Sequence, residues 1–238
     1  MKNEPKALTD IFVVGTDTGV GKTVVSLLLM QLLYARGYRP FYLKPFQTGC
    51  KDARDRESDA RFVFGHTMAL QGRDPAPSVI YCLPNPKAPF FAARDAGQRI
   101  GLKSVSDMVA QLRQSHSPLL LEAAGGLLVP VTPKLLVIDV VQALECRPLL
   151  VARAGLGTIN HSLLSIEALR RRGMEPQGVV LVNQDGRGSV TGLIQENLAA
   201  IETYGRVKVG GIIGPIADFA KPQAEDYRPL ENLLFPDG

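Results

Sequence analysis

Tryptophan is absent from this 238-residue sequence, and aromatic residues make up only 6% of it. A surface on which nucleic-acid bases stack needs aromatic side chains, so the composition argues against that class of protein. An excess of one charge is also missing, because 27 Lys and Arg residues stand against 23 Asp and Glu residues. The resulting net charge of +4 mildly favours small anionic ligands and does not indicate nucleic-acid binding.

Long apolar runs are missing as well, and we expect no leader segment. No apolar run approaches the ~20 residues that a membrane span requires, and residues 1–6 lack the apolar core of a signal peptide. We therefore expect a cytoplasmic protein with no membrane partner. Cys50, Cys82 and Cys146 are scattered and lack Cys-x-x-Cys spacing, which favours reduced thiols over disulfides or a zinc site.

Short apolar runs alternate with helical patterns along the rest of the chain. Strand-like runs lie at residues 11–14, 40–44, 119–122, 149–152, 179–182 and 209–213, and helix-like runs at 24–33, 57–65, 104–115, 137–145, 159–172 and 190–203. Nearly continuous apolar strands predict a sheet covered on both faces. The alternation predicts an α/β fold with a doubly wound, mostly parallel sheet. We expect one domain over residues 1–238, with the proline-rich segment 66–100 as an irregular excursion within it.

The segment Gly15–Thr23 is the strongest motif in the sequence. It reads Gly-Thr-Asp-Thr-Gly-Val-Gly-Lys-Thr and stands between a strand-like run and a helix-like run. Glycines let backbone N–H groups point at phosphate oxygens, and the helix N-terminus adds partial positive charge. The nucleotide-binding residues that this loop predicts are Thr16, Asp17, Gly19, Val20, Gly21, Lys22 and Thr23. A strand-to-helix turn without a ligand is the alternative, since five residues rather than the usual four separate the first glycine from Gly-Lys-Thr.

Three charged residues stand near the ends of other predicted elements. Lys44 would end the second strand, where it is either a solvated lysine or a partner for an anionic reacting group. Glu122 would end the third strand, as a metal ligand or a residue that holds water. Asp59 is either a magnesium ligand or a helix-start residue that satisfies backbone N–H groups.

Together these segments resemble the dethiobiotin synthetases, ATP-dependent enzymes that close the ureido ring of the biotin precursor. The matching segments are Gly15–Thr23, Lys44-Pro45 with Thr48-Gly49, Ser58–Ala60, Glu122–Pro130, Gly155–His161 and Val182-Asn183. They follow the order of the family between residue 11 and about residue 216. The resemblance implies a P-loop NTPase-type fold, a homodimer, and the substrates 7,8-diaminononanoate, CO₂ and ATP.

The resemblance also implies a role for each matched residue. Lys22 would bind phosphate and stabilise the transferring group. Lys44, with Thr18 and Thr48, would cradle the carbamate formed from a substrate amine and CO₂. The implied Mg²⁺ ligands are Thr23, Asp59 and Glu122, and the implied adenine-side residues are Asn183 and Pro215. The distant carboxylate of the substrate would bind at a helix start of the neighbouring subunit, formed by Gly157, Thr158, Ile159 and Asn160.

Two other interpretations share the predicted fold. A cobyrinate-type amidoligase would use the same ATP chemistry but normally takes ammonia from a glutaminase domain, for which we expect no room in this sequence. A ParA/MinD-like switch ATPase would carry a lysine early in the phosphate loop, where this sequence has Thr16-Asp17-Thr18. Such ATPases often end in an amphipathic membrane helix, and the run Leu230–Pro236 is short for one.

Overall fold

A seven-stranded, all-parallel sheet organises the computed structural model, which describes residues 7–183 and 191–236. Its strands are β1 (Ile11–Gly15), β2 (Phe41–Thr48), β3 (Val79–Leu83), β4 (Leu119–Gly126), β5 (Arg147–Arg153), β6 (Gly178–Val182) and β7 (Val209–Ile213). The strand order is β3-β2-β4-β1-β5-β6-β7. Two sequence-based expectations, the absence of a leader in residues 1–6 and a helix start at residue 190, lie outside the described residues.

Helices cover both faces of the sheet. They are α1 (Lys22–Ala35), α2 (Asp59–His66), α3 (Pro89–Asp95), α4 (Leu102–Leu112), α5 (Val137–Ala143), α6 (Thr158–Arg170), α7 (Thr191–Gly205) and α8 (Ala224–Leu234). Strand β1 shows why both faces need cover. Ile11 and Val13 pack in a core with α1, α2 and α8, whereas Phe12 and Val14 pack in a second core with α4 to α7. This arrangement confirms the predicted doubly wound parallel sheet.

Strands β2 and β4 continue beyond the points at which the sequence pattern predicts their ends. Lys44 and Glu122 therefore lie inside strands rather than at their tips, which corrects the prediction. Proline has no N–H for a ladder hydrogen bond, yet β2 continues through Pro45. In the structure Pro45 lies where β2 changes its partner, from β4 at Phe41–Leu43 to β3 at residues 44–48.

The segment 66–100 is more regular than predicted, because it contains β3 and α3. Strand β3 is an edge strand in which only Leu83 is fully buried, so its five residues lack a strong apolar signal. Helix α3 begins at Pro89, and proline is favourable at the first helical position. The pattern also missed α8, which contains Pro229 and packs on β7. Both α3 and α8 contain a proline, and the sequence pattern predicted neither helix.

Two expectations drawn from composition concern membrane spans and thiols. Within residues 7–183 and 191–236, no helix combines the length and apolar character that crossing a membrane requires. The three cysteines are free thiols. The Sγ atoms of Cys50 and Cys82 lie 3.7 Å apart, at the ends of two neighbouring strands.

Candidate active site

The loop between β1 and α1 has the geometry of an anion-binding turn. Gly21 precedes the helix with a left-handed φ of 99°, and a Cβ at this position would lie 2.8 Å from Val182 Cγ1. Only glycine meets both constraints. No side chain caps the start of α1, so the first backbone N–H groups of the helix remain available to a ligand.

Lys22 is held inside this loop. Its side chain is buried, and its Nζ atom donates a hydrogen bond of 2.9 Å to the carbonyl oxygen of Asp17. Burial, followed by the nearby charge of Lys44, lowers the pKa of Lys22 to about 8. The loop thus places a buried lysine at the start of a helix, where its ammonium group and the backbone N–H groups can meet a phosphate together.

Lys44 lies at the centre of a buried charge cluster. Its Nζ atom is 2.7 Å from Glu122 Oε1, 2.7 Å from Asp59 Oδ2 and 3.2 Å from the carbonyl oxygen of Ala123. An ammonium group has three N–H donors, so these three oxygens account for all of them. Burial alone would lower the pKa of Lys44, but the two carboxylates outweigh that effect and raise it. Lys44 therefore remains charged.

Thr23 joins the same cluster from the first turn of α1. Its Oγ1 atom lies 2.9 Å from Asp59 Oδ1 and 2.9 Å from Glu122 Oε1. Asp59 is the first residue of α2, yet its carboxylate does not cap that helix. Ser58 is the N-cap, and its hydroxyl accepts a hydrogen bond from the backbone N–H of Arg61. The Asp59 carboxylate is thus directed to Lys44 and Thr23, and Lys44 lowers its pKa against the opposing effect of burial.

The separation of β2 from β4 creates the space for this cluster. The two strands pair at Phe41–Leu43 and then diverge, with Lys44 and Glu122 following directly on each strand. A cavity of about 300 Å³ opens between them and the phosphate loop. Nine of the predicted site residues line it, namely Thr18, Gly19, Gly21, Lys22, Thr23, Lys44, Thr48, Asp59 and Glu122.

The start of α6, predicted to bind the substrate carboxylate, does not line this cavity. Gly157 precedes the helix with a φ of 84° and no side chain caps it. Thr158 is buried, and its Oγ1 atom has no hydrogen-bond partner within the described structure. Ile159 packs against the core, whereas Asn160 is exposed. The backbone N–H of Thr158 donates to the carbonyl oxygen of Gly155 at 3.4 Å, so the helix start, which lies outside the cavity that holds the charge cluster, is only partly open to a ligand.

The remaining predicted nucleotide-binding residues do not line the cavity that holds the charge cluster. Thr16 and Asp17 line a neighbouring cavity of about 300 Å³, and Val20 is buried in the core. Asn183 follows β6, where its backbone N–H donates to Ile213 of β7. Pro215 is exposed just after β7. The predicted adenine-side pair therefore lies on the side of the sheet formed by β6 and β7.

Two residues that contact the cluster were missed by sequence reasoning. Tyr42 Oη donates to Glu122 Oε2 at 2.9 Å, and the side-chain oxygen of Gln47 accepts a hydrogen bond from the backbone N–H of Asp59. Tyr42 stands two residues before Lys44, and such residues share one face of a strand. The period-two pattern could therefore have found Tyr42. Gln47 carries no comparable signal.

The oxygen atoms of the cluster fit a hard divalent cation. Within the described ranges, no group of three or more His, Cys, Asp and Glu residues could hold a metal. However, Mg²⁺ is usually bound by one or two carboxylates together with phosphate oxygens and water. Asp59 and Glu122 supply two carboxylates and Thr23 a hydroxyl. The Lys44 ammonium between the carboxylates shows that the space accepts a positive charge.

Comparisons with known proteins identify the family of this chain. Residues 9–223 match the model of a family described as an AAA domain. The chain is 40% identical over 206 residues to the ATP-dependent dethiobiotin synthetase BioD of Paramagnetospirillum magneticum, which covers 87% of this chain and 88% of that protein. It is 31% identical over 226 residues to the protein of the same name from Methanococcus vannielii, covering 95% and 100% of the two chains.

The solved structure of the cell division protein MinD from Aquifex aeolicus has the same fold. Its TM-score is 0.58 over 95% of this chain and 94% of that chain, with 12% sequence identity. At that identity the likeness shows the fold alone and does not favour the switch-ATPase interpretation. The sequence identity to dethiobiotin synthetases over most of the chain decides between this family and the switch ATPases. The chain belongs to the ATP-dependent dethiobiotin synthetase family.

Proposed function

We propose that this chain is an ATP-dependent cyclo-ligase that makes dethiobiotin. It joins CO₂ to an amine of 7,8-diaminononanoate, phosphorylates the resulting carbamate with ATP and closes the ureido ring, releasing ADP and phosphate. The observation that carries the proposal is the cavity beside the phosphate loop, which is lined by buried Lys22, Lys44 and Glu122 and by half-buried Asp59. The family membership of the chain supports it.

The charges of the cluster suit a reaction between two anions. A carbamate oxygen attacks the γ-phosphoryl group of ATP, which forms a carbamic–phosphoric anhydride and expels ADP. The second amine then attacks the carbamate carbon, loses a proton and expels phosphate as the ring closes. Lys22 and Lys44 would lower the repulsion between the anions in a site largely shielded from water. Because the three donors of Lys44 are already occupied, binding a carbamate requires Lys44 to exchange at least one partner.

Magnesium is part of this proposal. Thr23, Asp59 and Glu122 would hold the ion, and the oxygen ligands that they present are those that Mg²⁺ prefers. When bound, the ion supplies charge neutralisation to the phosphoryl oxygens of ATP. The residues of the chain then have the remaining task of placing the carbamate, for which Thr18 and Thr48 line the cavity beside Lys44.

A second copy of the chain is the expected partner. Three leucines are strongly exposed, with 60% of Leu128, 89% of Leu156 and 56% of Leu164 accessible to solvent. Leu156 precedes α6, and Leu164 of α6 lines one cavity together with Leu128. Clustered apolar exposure of this kind marks interaction surfaces. A homodimer through this surface would bring the N–H groups at the α6 start of one subunit towards the cavity of the other. The distant carboxylate of the substrate would bind there, between residues 157 and 160. The cytoplasmic location stays a prediction.

Phosphate release tests the proposed function. ATP and Mg²⁺ are supplied with diaminononanoate, with bicarbonate, with both or with neither, and dethiobiotin is quantified by mass spectrometry. We expect phosphate and dethiobiotin in equal amounts only when both co-substrates are present. Lys22→Ala should abolish both products, whereas Lys103→Ala, which alters an exposed lysine paired with Asp107, should not. Phosphate release that ignores diaminononanoate would contradict the proposal and favour a switch ATPase.

A further inference from the structure

The two carboxylate oxygens of Glu122 are held in different ways. Glu122 is completely buried. Its Oε1 atom lies 2.7 Å from Lys44 Nζ and 2.9 Å from Thr23 Oγ1, so this oxygen faces the cavity. Its Oε2 atom accepts a hydrogen bond of 2.9 Å from Tyr42 Oη on the opposite side. The carboxylate is therefore oriented with one oxygen directed to the site and the other directed to a phenol.

The position of Tyr42 is fixed by the sheet. Tyr42 pairs with Leu120 in the β2–β4 ladder, so Glu122 is its diagonal neighbour on the same face, two residues further along β4. The Tyr42 ring is 1% exposed and packs in the core between the sheet and α1. A phenol held by packing and by strand pairing has little freedom to follow the carboxylate if the latter turns.

We propose that Tyr42 is a positioning residue that makes Glu122 a one-oxygen metal ligand and so favours Mg²⁺ over Ca²⁺. The inference rests on the proposed role of Glu122 in holding the metal. Mg²⁺ requires a compact octahedral set of oxygens, whereas Ca²⁺ accepts six to eight and often takes both oxygens of one carboxylate. Tyr42 opposes two-oxygen coordination, because turning Oε2 to the metal breaks its hydrogen bond with the phenol.

The test measures binding of a non-hydrolysable ATP analogue by calorimetry with Mg²⁺, with Ca²⁺ and with EDTA. Loss of an outer partner of a metal ligand typically weakens metal binding about 10- to 100-fold. In Tyr42→Phe we therefore expect the Mg²⁺-dependent gain in affinity for the ATP analogue to fall about 10-fold or more. The affinity for the analogue measured in EDTA should be unchanged. The Ca²⁺-dependent gain should fall less, so that the ratio of the two gains declines.

Three further variants make the result specific. Tyr227→Phe is the matched control, because it removes a phenol hydrogen bond of 3.0 Å to Gln31 outside the cavity. It should leave both metal-dependent gains unchanged. Incorporation of 4-aminophenylalanine at position 42 keeps the ring and an N–H donor, and should preserve both folding and the Mg²⁺ preference. Glu122→Gln reports on the underlying metal site and should remove most of the Mg²⁺-dependent gain.

The outcomes separate the two levels of inference. If the parent protein shows no Mg²⁺-dependent gain, or if Glu122→Gln retains it fully, the proposed metal site itself is wrong. If Glu122→Gln loses the gain but Tyr42→Phe keeps it, only the role of Tyr42 is overturned. Equal weakening of the Mg²⁺ and Ca²⁺ complexes in Tyr42→Phe would also overturn it, as would loss of the preference in the 4-aminophenylalanine variant.

Discussion

Replacing Lys44 by methionine should destabilise the protein far more than its place in a ligand cavity suggests. The ammonium is the only cation within salt-bridge distance of Glu122 among the described residues, and that carboxylate is fully buried. Lys44→Met keeps most of the side-chain volume and removes only the charge. The buried carboxylate then retains hydrogen bonds from neutral hydroxyls alone. A loss of folding stability follows, independent of any loss of catalysis.

The size of this effect follows from the burial of the pair. Removing one partner of a buried ion pair costs about 3–5 kcal/mol, because the other charge is left uncompensated. For a chain of this length, 1 kcal/mol corresponds to about 2–4 °C in Tm, so Tm should fall by about 6–20 °C. Lys103→Met, which breaks the exposed pair with Asp107, should cost only about 0–1 kcal/mol.

Urea unfolding without nucleotide or metal measures the loss of stability directly. The decisive comparison is the double variant Lys44→Met/Glu122→Gln, in which neither charge remains. Residues in direct contact are non-additive in such a cycle, so the double variant should recover much of the loss seen in Lys44→Met. A Lys44→Met protein within about 1 kcal/mol of the parent would refute the reasoning, because it would show that the pair contributes no more than an exposed one. A double variant that recovers nothing would refute it as well.

Three further predictions concern catalysis. Lys22→Ala should weaken ATP binding and turnover together, whereas Lys44→Ala should keep its ATP affinity while turnover falls about 100- to 1,000-fold. Calorimetric ATP titrations of the two folded variants test this difference. Equal loss of ATP binding in both would contradict the role of Lys44. Asp59→Asn should raise the Mg²⁺ concentration needed for half-maximal rate, because an amide is a poorer ligand for a hard cation than a carboxylate; full rate at low Mg²⁺ would exclude Asp59 as a ligand. The variants Lys44→Ala and Asn160→Asp should each be nearly inactive alone. Mixing them should restore activity if each substrate site is shared by two subunits. Asn160 suits this test because its side chain is exposed. No recovery after confirmed subunit exchange would place every site within one chain.

Much of the fold could be predicted because its central strands are buried on both faces. In β5, for example, residues 148–152 are all buried, and such continuous apolar runs are distinctive in sequence. The edge strand β3 gives no such signal, since most of its residues are only half-buried. The prediction also ended the second strand too early. It stopped at Lys44, whereas β2 continues through Pro45, where the strand changes partner from β4 to β3.

The residues of the candidate site could be predicted from the sequence better than the contacts between them. Lys44 and Glu122 could be proposed from the sequence because charged residues in buried strands are unusual, and Asp59 could be proposed because it stands at a predicted helix start. Their mutual contacts could not, since they depend on where β2 and β4 diverge and on Ser58 rather than Asp59 capping α2. The period-two pattern places Tyr42 on the same strand face as Lys44, but its hydrogen bond to Glu122 depends on the register between β2 and β4, which a single sequence does not specify.

The three filled donors of Lys44 also bear on the order in which the site assembles. At the proposed Mg²⁺ site, an ion arriving alone would have to displace an ammonium that already contacts both Asp59 and Glu122. An ion arriving on a triphosphate would bring anionic oxygens to receive the released ammonium. Under that proposal the lysine would compete with free divalent ions, and the nucleotide would carry the metal into the site.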